Sequence, residues 1–284
     1  MTVREALQKI ERLLTDGGVP EPHENAEFLV ASVLDCKRGQ LPLLKSLNLP
    51  DTAAEKLELL VRRRLAREPL QYLLGEWPFL DITLYVAPGA LIPRPETEEW
   101  VDRLSVMFLA RTGDKPFKFA DIGTGTGAIG LELSARFKNA SGLLIDRSSE
   151  ALDIASVNLA RHPDLARRLQ LLQANLLDAV RINSFDLLVS NPPYIDQNDI
   201  PTLQPEVRLF EPTLALDGGC EGLELCQRLL YTAGSRLRQH GLFAMEHGHG
   251  QRAALLRAPS PGLNFLQAYD DLEGRERALI WEKM

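Results

Sequence analysis

Cysteine is scarce in this chain: of 284 residues only Cys36, Cys220 and Cys226 are of that type. They form no CxxC pair and cannot all pair within one chain, so a disulfide framework and a thiolate metal cluster are both disfavoured and a reducing, cytoplasmic setting is expected. No segment reaches the ~18 consecutive apolar residues that a membrane span requires. Met1 to Leu14 mixes Arg4, Glu5, Lys9 and Glu11 with apolar positions at helical spacing, unlike the apolar stretch of an export signal. Positive charge is not in excess either. The 32 Lys and Arg stand against 39 Asp and Glu, a net charge of −7, which argues against general affinity for a nucleic acid backbone. Residues 1–74 balance at 11 basic and 11 acidic side chains, so the acidic excess, 28 against 21, lies in the remainder. Internal repeats and low-complexity tracts are absent. What is present, 45% hydrophobic and 25% charged residues, suits a globular protein with enough core for one or two domains.

From Val3 to about Leu74 the apolar residues keep helical spacing: Val3, Leu7, Ile10 and Leu14, then Ala26, Leu29, Val30 and Val33. Breakers at Gly17-Gly18-Val19-Pro20, Pro42 and Pro50-Asp51 divide the stretch into short helices, with Asp51 expected as an N-cap. This predicts a small helical bundle over 1–74. Between Gly75 and Pro95 the pattern changes to alternation (Phe79, Leu80, Ile82, Leu84, Val86) followed by Pro88-Gly89, which predicts a β-hairpin linker over 75–95. A helix follows from Glu96 to about Arg111. From Phe117 onward strands alternate with helices, predicting an α/β domain over 96–284 with a seven-stranded, mostly parallel sheet covered on both faces. The expected strands are Phe117–Asp121, Gly142–Asp146, Leu169–Gln173, Phe185–Ser190, Gly241–His247, Phe265–Tyr269 and Arg277–Trp281.

Directly after the first of these strands stands Asp121-Ile122-Gly123-Thr124-Gly125-Thr126-Gly127, with a helix expected from Ala128. Three alternating glycines allow a sharp turn and let a cofactor approach the backbone without a Cβ in the way. About twenty residues on, at the end of the second strand, Asp146 offers a carboxylate suited to ribose hydroxyls. Gly125-x-Gly127-x-x-Gly130 also satisfies the dinucleotide pattern GxGxxG, so this motif alone leaves NAD and S-adenosylmethionine both open, beside a plain strand-to-helix turn.

The fourth strand runs straight into Asn191-Pro192-Pro193-Tyr194. In open α/β sheets ligands bind beyond the carboxyl ends of the strands, so this loop should share a crevice with the glycine loop. Two prolines stiffen the backbone and remove two N–H donors, leaving an acceptor-rich surface. If the Asn191 side-chain oxygen and the Pro192 carbonyl each accept one N–H of a target –NH2, they orient a poorly nucleophilic nitrogen and stabilise positive charge developing on it. Tyr194 supplies a flat wall for a planar amide. The competing explanation, a rigid Asn-Pro turn, accounts for the loop but not for its place downstream of the glycine loop. Together the two motifs predict an amino-group methyltransferase.

At these residues the sequence resembles the protein-(glutamine-N5) methyltransferases that modify release factors, the PrmC/HemK family. The likeness covers nearly the whole chain and also rests on Arg67-Glu68-Pro69-Leu70 with Gly75, Leu91-Ile92-Pro93-Arg94-Pro95-Glu96-Thr97-Glu98, Phe210-Glu211-Pro212 and Glu246-His247-Gly248. The resemblance implies a helical N-terminal substrate-recognition domain and a Rossmann-like methyltransferase domain that takes S-adenosyl-L-methionine and leaves S-adenosyl-L-homocysteine. It implies cofactor contacts at Gly123, Thr124, Gly125, Thr126, Gly127, Asp146, Asn175, Leu176 and Asn191. It further implies contacts of Asn191, Pro192, Pro193 and Tyr194 with the glutamine of the Gly-Gly-Gln motif in class I peptide chain release factors.

The rival with the same loop is an adenine-N6 methyltransferase of DNA or RNA, which would hold a flipped base there; the acidic balance counts against it, and no direct nucleic acid partner is expected. Arg94 and Glu98 could order the cofactor or shape the substrate channel, and equally could be solvated linker. Residues 195–221 form a long connection of the kind that serves as a lid. Glu246-His247-Gly248-His249 lacks a matching third ligand, so no metal is expected. Arg62-Arg63-Arg64 and Arg67 are read as a solvated helix face.

Overall fold

The computed structural model describes all 284 residues, and by its contacts the chain divides into two units: Met1–Gly75 with Gln204–Phe210, and Glu76–Leu203 with Glu211–Met284. In the first unit, α1 (Val3–Asp16) begins where Thr2 and Glu5 satisfy each other's backbone: Glu5 N–H donates to Thr2 Oγ1 at 3.3 Å and Thr2 N–H to Glu5 Oε2 at 2.8 Å. Proline at the first turn of α2 (Pro22–Val33) costs no hydrogen bond there. A single turn, α3 (Leu41–Leu44), precedes α4 (Asp51–Leu65) and α5 (Leu70–Leu74), which stops at Gly75 with φ +75°. Asp51 does not cap α4: Pro50 holds the cap position, and Asp51 is the first helical residue, where its charge meets the positive end of the helix. Ile10 and Leu14 of α1, Leu29 and Val30 of α2, and Leu57 and Val61 of α4 are all buried.

The second unit starts with β1 (Glu76–Phe79) and β2 (Ile82–Tyr85), an antiparallel pair, then α6 (Pro95–Thr112), β3 (Phe117–Ile122), α7 (Ala128–Arg136) and β4 (Ala140–Asp146). It continues through α8 (Ser149–Arg161), α9 (Pro163–Ala166), β5 (Leu169–Gln173) and β6 (Phe185–Ser190). After α10 (Pro205–Phe210), which belongs to the first unit, come α11 (Glu224–Arg236), β7 (Leu237–Glu246), α12 (Arg252–Arg257), β8 (Leu263–Asp270) and β9 (Glu276–Lys283). The seven-stranded sheet runs β5-β4-β3-β6-β7-β9-β8; its first five strands pair in parallel, and β9 pairs antiparallel with β7 and β8. All seven strands expected from the sequence are present, each within a few residues. No helix is long and apolar enough to cross a membrane.

Alternation along the central strands divides their side chains between two cores. Phe119, Leu187, Val189, Leu242 and Ala244 join one apolar cluster, while Ala120, Ile122, Leu188, Phe243 and Met245 join the other. Burial on both faces explains why β6 reads as an unbroken apolar run. The hairpin is more than a linker. Phe79, Ile82 and Leu84 are buried in the same cluster as Phe119, so the apolar side of β1 and β2 completes the core of the second unit.

Arginine in α4 also differs from expectation. Arg62 and Arg63 do sit on an exposed face, paired with Glu58 and Glu68. Arg64, however, is buried: its Nε donates to Asn25 Oδ1 at 2.7 Å and its Nη2 to Glu206 Oε1 at 2.9 Å. Arg67 donates to both oxygens of Glu206, at 2.8 and 2.7 Å. The partner comes from α10, more than 130 positions later, so helical periodicity had no means of announcing it. Two arginines sharing one buried carboxylate make a fixed anchor, and removing the acid would strand the Arg64 charge. Glu206→Ala is expected to destabilise the protein by about 3 kcal/mol, read as a lower midpoint in urea denaturation; an unchanged midpoint would show that the anchor is solvated in solution.

Candidate active site

In the parallel sheet the chain moves outward from β3 to β4 and β5, then returns to the other side of β3 as β6. Loops that leave β3 and β6 in opposite directions open a crevice at the carboxyl ends of these strands. There the protein has a cavity of about 380 Å³. Its wall takes Gly123, Thr124, Gly125 and Thr126 from the loop after β3, Asp146 from the end of β4, Asn175 and Leu176 from the loop after β5, and Asn191 and Pro193 from the loop after β6. Residues from four separate strand ends thus meet in one place.

Gly123, Gly125 and Gly127 all have positive φ, at +71°, +56° and +85°. A Cβ on Gly125 would meet nothing of the protein within 4 Å, and it would project from a residue that lines the cavity. Gly127 differs: it is not in the wall, and a Cβ there would lie 3.4 to 3.6 Å from Leu131, Leu144 and Ala155, so this glycine serves the approach of α7 to the sheet. The loop is tied at both sides. Gly123 and Thr124 donate their N–H groups to the Ile145 carbonyl, and Gly125 N–H donates to Asp146 Oδ2 at 2.9 Å. Asp146 Oδ1 takes the Ser148 N–H at 2.9 Å, and burial nonetheless pushes this carboxyl above its ordinary range.

Behind the loop, Asp121 is fully buried. Its Oδ2 accepts from Thr124 Oγ1 at 2.6 Å and from Gly130 N–H at 3.0 Å, while Oδ1 has no partner in the protein. Burial raises its pKa to about 7; the two hydrogen bonds oppose the rise and the neighbouring Asp146 adds to it.

Of the loop after β6, Pro192 is buried and Tyr194 stands outside the wall, its hydroxyl donating to Glu246 Oε1 at 3.0 Å. Asn191 Nδ2 donates to Thr97 Oγ1 at 3.1 Å, and Thr97 and Trp100 both donate to Glu246 Oε2, at 2.6 and 2.7 Å. Arg94 lines the cavity and pairs with Glu211, whose other oxygen accepts the Ile92 N–H at 3.1 Å. Glu98 is not part of the wall and accepts the Leu80 N–H of the hairpin turn at 3.2 Å. In the long connection after Tyr194, Ile195 bridges to Asp217, and Pro212 to Ala215 join the wall. Pro212 to Ala215 fall within the connection 195–221 expected to serve as a lid, whereas Thr97 and, in the hairpin region, Phe79 and Ala90 were not assigned to the site, because their contribution depends on packing rather than on a motif.

A cavity at the switch of a parallel sheet, with an open glycine loop from one strand and an acid from the next, defines a Rossmann-like cofactor-binding domain, and its family match makes it a methyltransferase domain. Residues 97–208 match the family "Methyltransferase small domain", and residues 5–75 match the family "PrmC N-terminal domain". The release factor glutamine methyltransferase of Moorella thermoacetica is 39% identical, over 99% of this chain and 98% of that protein, and that of Caulobacter vibrioides is 36% identical over 100% and 97%. The chain belongs to the release factor glutamine methyltransferase family. In fold it is also similar to the T. thermophilus 16S rRNA N2 G1207 methyltransferase solved with AdoMet and guanosine: TM-score 0.51, 18% identity, 74% of this chain and 50% of that one.

The residues present fit S-adenosylmethionine. The glycine backbone is open toward the cavity, the Asp146 carboxylate retains lone pairs for ribose hydroxyls, and Leu176 offers an apolar contact.

Asp121 gives this site a pH signature. Its folded pKa of about 7 exceeds the ordinary carboxylate value of the unfolded chain, so the folded state holds the proton more tightly. Its contribution to stability is therefore full below about pH 4 and falls as pH rises to about 7. Asp121→Asn, which keeps an acceptor for Thr124 and Gly130 without the charge, is expected to flatten the dependence of melting temperature on pH across that window. An identical slope in variant and parent would mean that Asp121 ionises normally.

Proposed function

We propose that this protein transfers a methyl group from S-adenosyl-L-methionine to the N5 amide nitrogen of the glutamine in the Gly-Gly-Gln motif of class I peptide chain release factors. The observation that carries the reading is the meeting of Asn191 and Pro193 with Gly123 to Thr126 and Asp146 in one cavity, in a chain of this family. Gly123 to Thr126 and Asp146 would hold the donor, with Asn175 and Leu176 beside its adenosine part. When bound, S-adenosylmethionine supplies an electrophilic methyl group on a sulfonium.

The amide nitrogen is a weak nucleophile because its lone pair is conjugated with the carbonyl, and what the protein contributes is orientation. The Asn191 side-chain oxygen and the Pro192 carbonyl each accept one N–H of the glutamine –NH2, which fixes the plane of the amide and the direction of its lone pair. As the nitrogen bonds to the methyl carbon and the carbon–sulfur bond breaks to leave S-adenosyl-L-homocysteine, the same two acceptors stabilise the positive charge developing on nitrogen without moving, and the N-methyl amide forms once one N–H proton passes to solvent water. Pro193 leaves no competing N–H donor at the wall. Tyr194, anchored through its hydroxyl and with its ring packed against the apolar cluster that includes Cys226 and Leu255, holds the end of the loop in place. The helical unit of Met1–Gly75 would recognise the folded release factor. The unpaired cysteines agree with a cytoplasmic enzyme, and the acidic balance with a protein partner rather than a nucleic acid.

Transfer of a radiolabelled methyl group tests this reading, with a purified release factor, the same factor with its Gly-Gly-Gln glutamine replaced, and duplex DNA as acceptors. Label is expected on the intact factor alone. Label on DNA, or equal label on the replaced factor, would overturn the assignment. Asn191→Ala is expected to lower turnover by about 10²- to 10³-fold, with a much smaller loss of cofactor affinity because Gly123 to Thr126 and Asp146 remain.

A further inference from the structure

Glu246 ends β7 beside the active-site loop and is only 1% exposed. Burying a carboxylate is costly unless its lone pairs are used. Here they meet three neutral donors: Thr97 and Trp100 at Oε2, and Tyr194 at Oε1. Burial raises the Glu246 pKa while these bonds oppose the rise.

The consequence reaches Asn191. An indole N–H can only donate, so Oε2 acts as an acceptor toward Trp100, and at 2.6 Å it also takes the one proton of the Thr97 hydroxyl. With its proton committed, Thr97 Oγ1 is left with lone pairs only. The Asn191 carboxamide can then satisfy Thr97 only through its –NH2 end, which is the observed contact at 3.1 Å. Which end of an asparagine faces which way is decided by such a network. The other end, Oδ1, is left as the acceptor of a residue that lines the cavity.

We infer that Glu246 and Thr97 are positioning residues that set the direction of the Asn191 carboxamide and thereby select a glutamine amide over the isosteric glutamate carboxylate. An acceptor at this point matches the N–H donors of –NH2. It opposes a carboxylate oxygen, which would meet Oδ1 lone pair to lone pair. Turned over, the same asparagine would offer N–H to a carboxylate and lose its bond to the amide. Discrimination between side chains that differ only in –NH2 and –O⁻ therefore depends on an acceptor oxygen, Glu246 Oε2, that lies one residue behind the wall. The inference rests on the glutamine reading above.

The test is Thr97→Val, which keeps the shape and removes both the proton and the lone pairs, beside Thr97→Ser, which restores them. A release factor carrying glutamate in place of its target glutamine serves as the competing ligand. In the parent enzyme the glutamate factor should inhibit poorly. In Thr97→Val its inhibition constant should approach the KM of the intact factor, with the ratio of the two falling about tenfold or more and kcat dropping by about 10- to 100-fold. Thr97→Ser should recover both, and cofactor affinity should stay near the parent's in each variant. Glu246→Gln supplies a second arm. Its amide oxygen can take the side of Thr97 and Trp100 while its –NH2 donates to Tyr194, so it should keep the discrimination within about threefold. A parent-like ratio in Thr97→Val, failure of serine to rescue, or lost discrimination in Glu246→Gln would overturn the inference. A parent enzyme that methylates no release factor would instead sink the substrate assignment itself.

Discussion

β3 and β6 lie side by side in parallel, with Ile122 opposite Ser190, and the rest of the site depends on that pairing. Ser190 Oγ donates to the Ile122 carbonyl at 2.7 Å, at the last residue of each strand. The next residues, Gly123 and Asn191, are therefore neighbours whatever the loops do afterwards. A Cβ on Gly123 would stand 3.9 Å from the Asn191 carbonyl. A slip in register by one residue would turn the side chains of β6 to the opposite faces, exchanging Leu187 and Val189 with Leu188 between the two cores. Hydrophobic alternation thus holds the two functional loops in place from below.

On that base the protein places several buried acids, each with its own arrangement of partners. Asp121 has two donors and one idle oxygen, and its pKa rises toward neutrality. Glu246 has three neutral donors. Glu211 and Glu206 are paired with arginine, and Glu206 stays below the ordinary range as two guanidinium groups overcome the cost of its burial. The difference follows from position. Asp121 and Glu246 stand at the ends of buried strands, where backbone and neutral side chains are the neighbours, whereas the other two stand on the connection after β6, where arginine side chains can reach.

Much of the architecture was legible because periodicity is a local property. The helical unit, the seven strands, the start of α7 at Ala128 and the glycine loop are all written in consecutive residues. The motifs named Gly123 to Thr126, Asp146, Asn175, Leu176, Asn191 and Pro193, and these do converge in one cavity. Less legible were Gly127, which supports packing, and Tyr194, whose hydroxyl is spent on Glu246. The hairpin looked like a linker because its burial is supplied by residues of β3 and α6, distant in sequence.

The sequence by itself determined the fold class, the order of elements and the chemistry of the two loops, since each follows from the spacing of apolar residues or from glycine and proline acting on their own backbone. Only the tertiary structure decided that α10 joins the N-terminal helices through Glu206, and that Glu246, Thr97 and Asn191 form one chain of hydrogen bonds. Those links join residues roughly 50 to 150 positions apart. A hydrogen bond has a direction and a length of about 3 Å, and no pattern along a chain specifies either until the chain has folded.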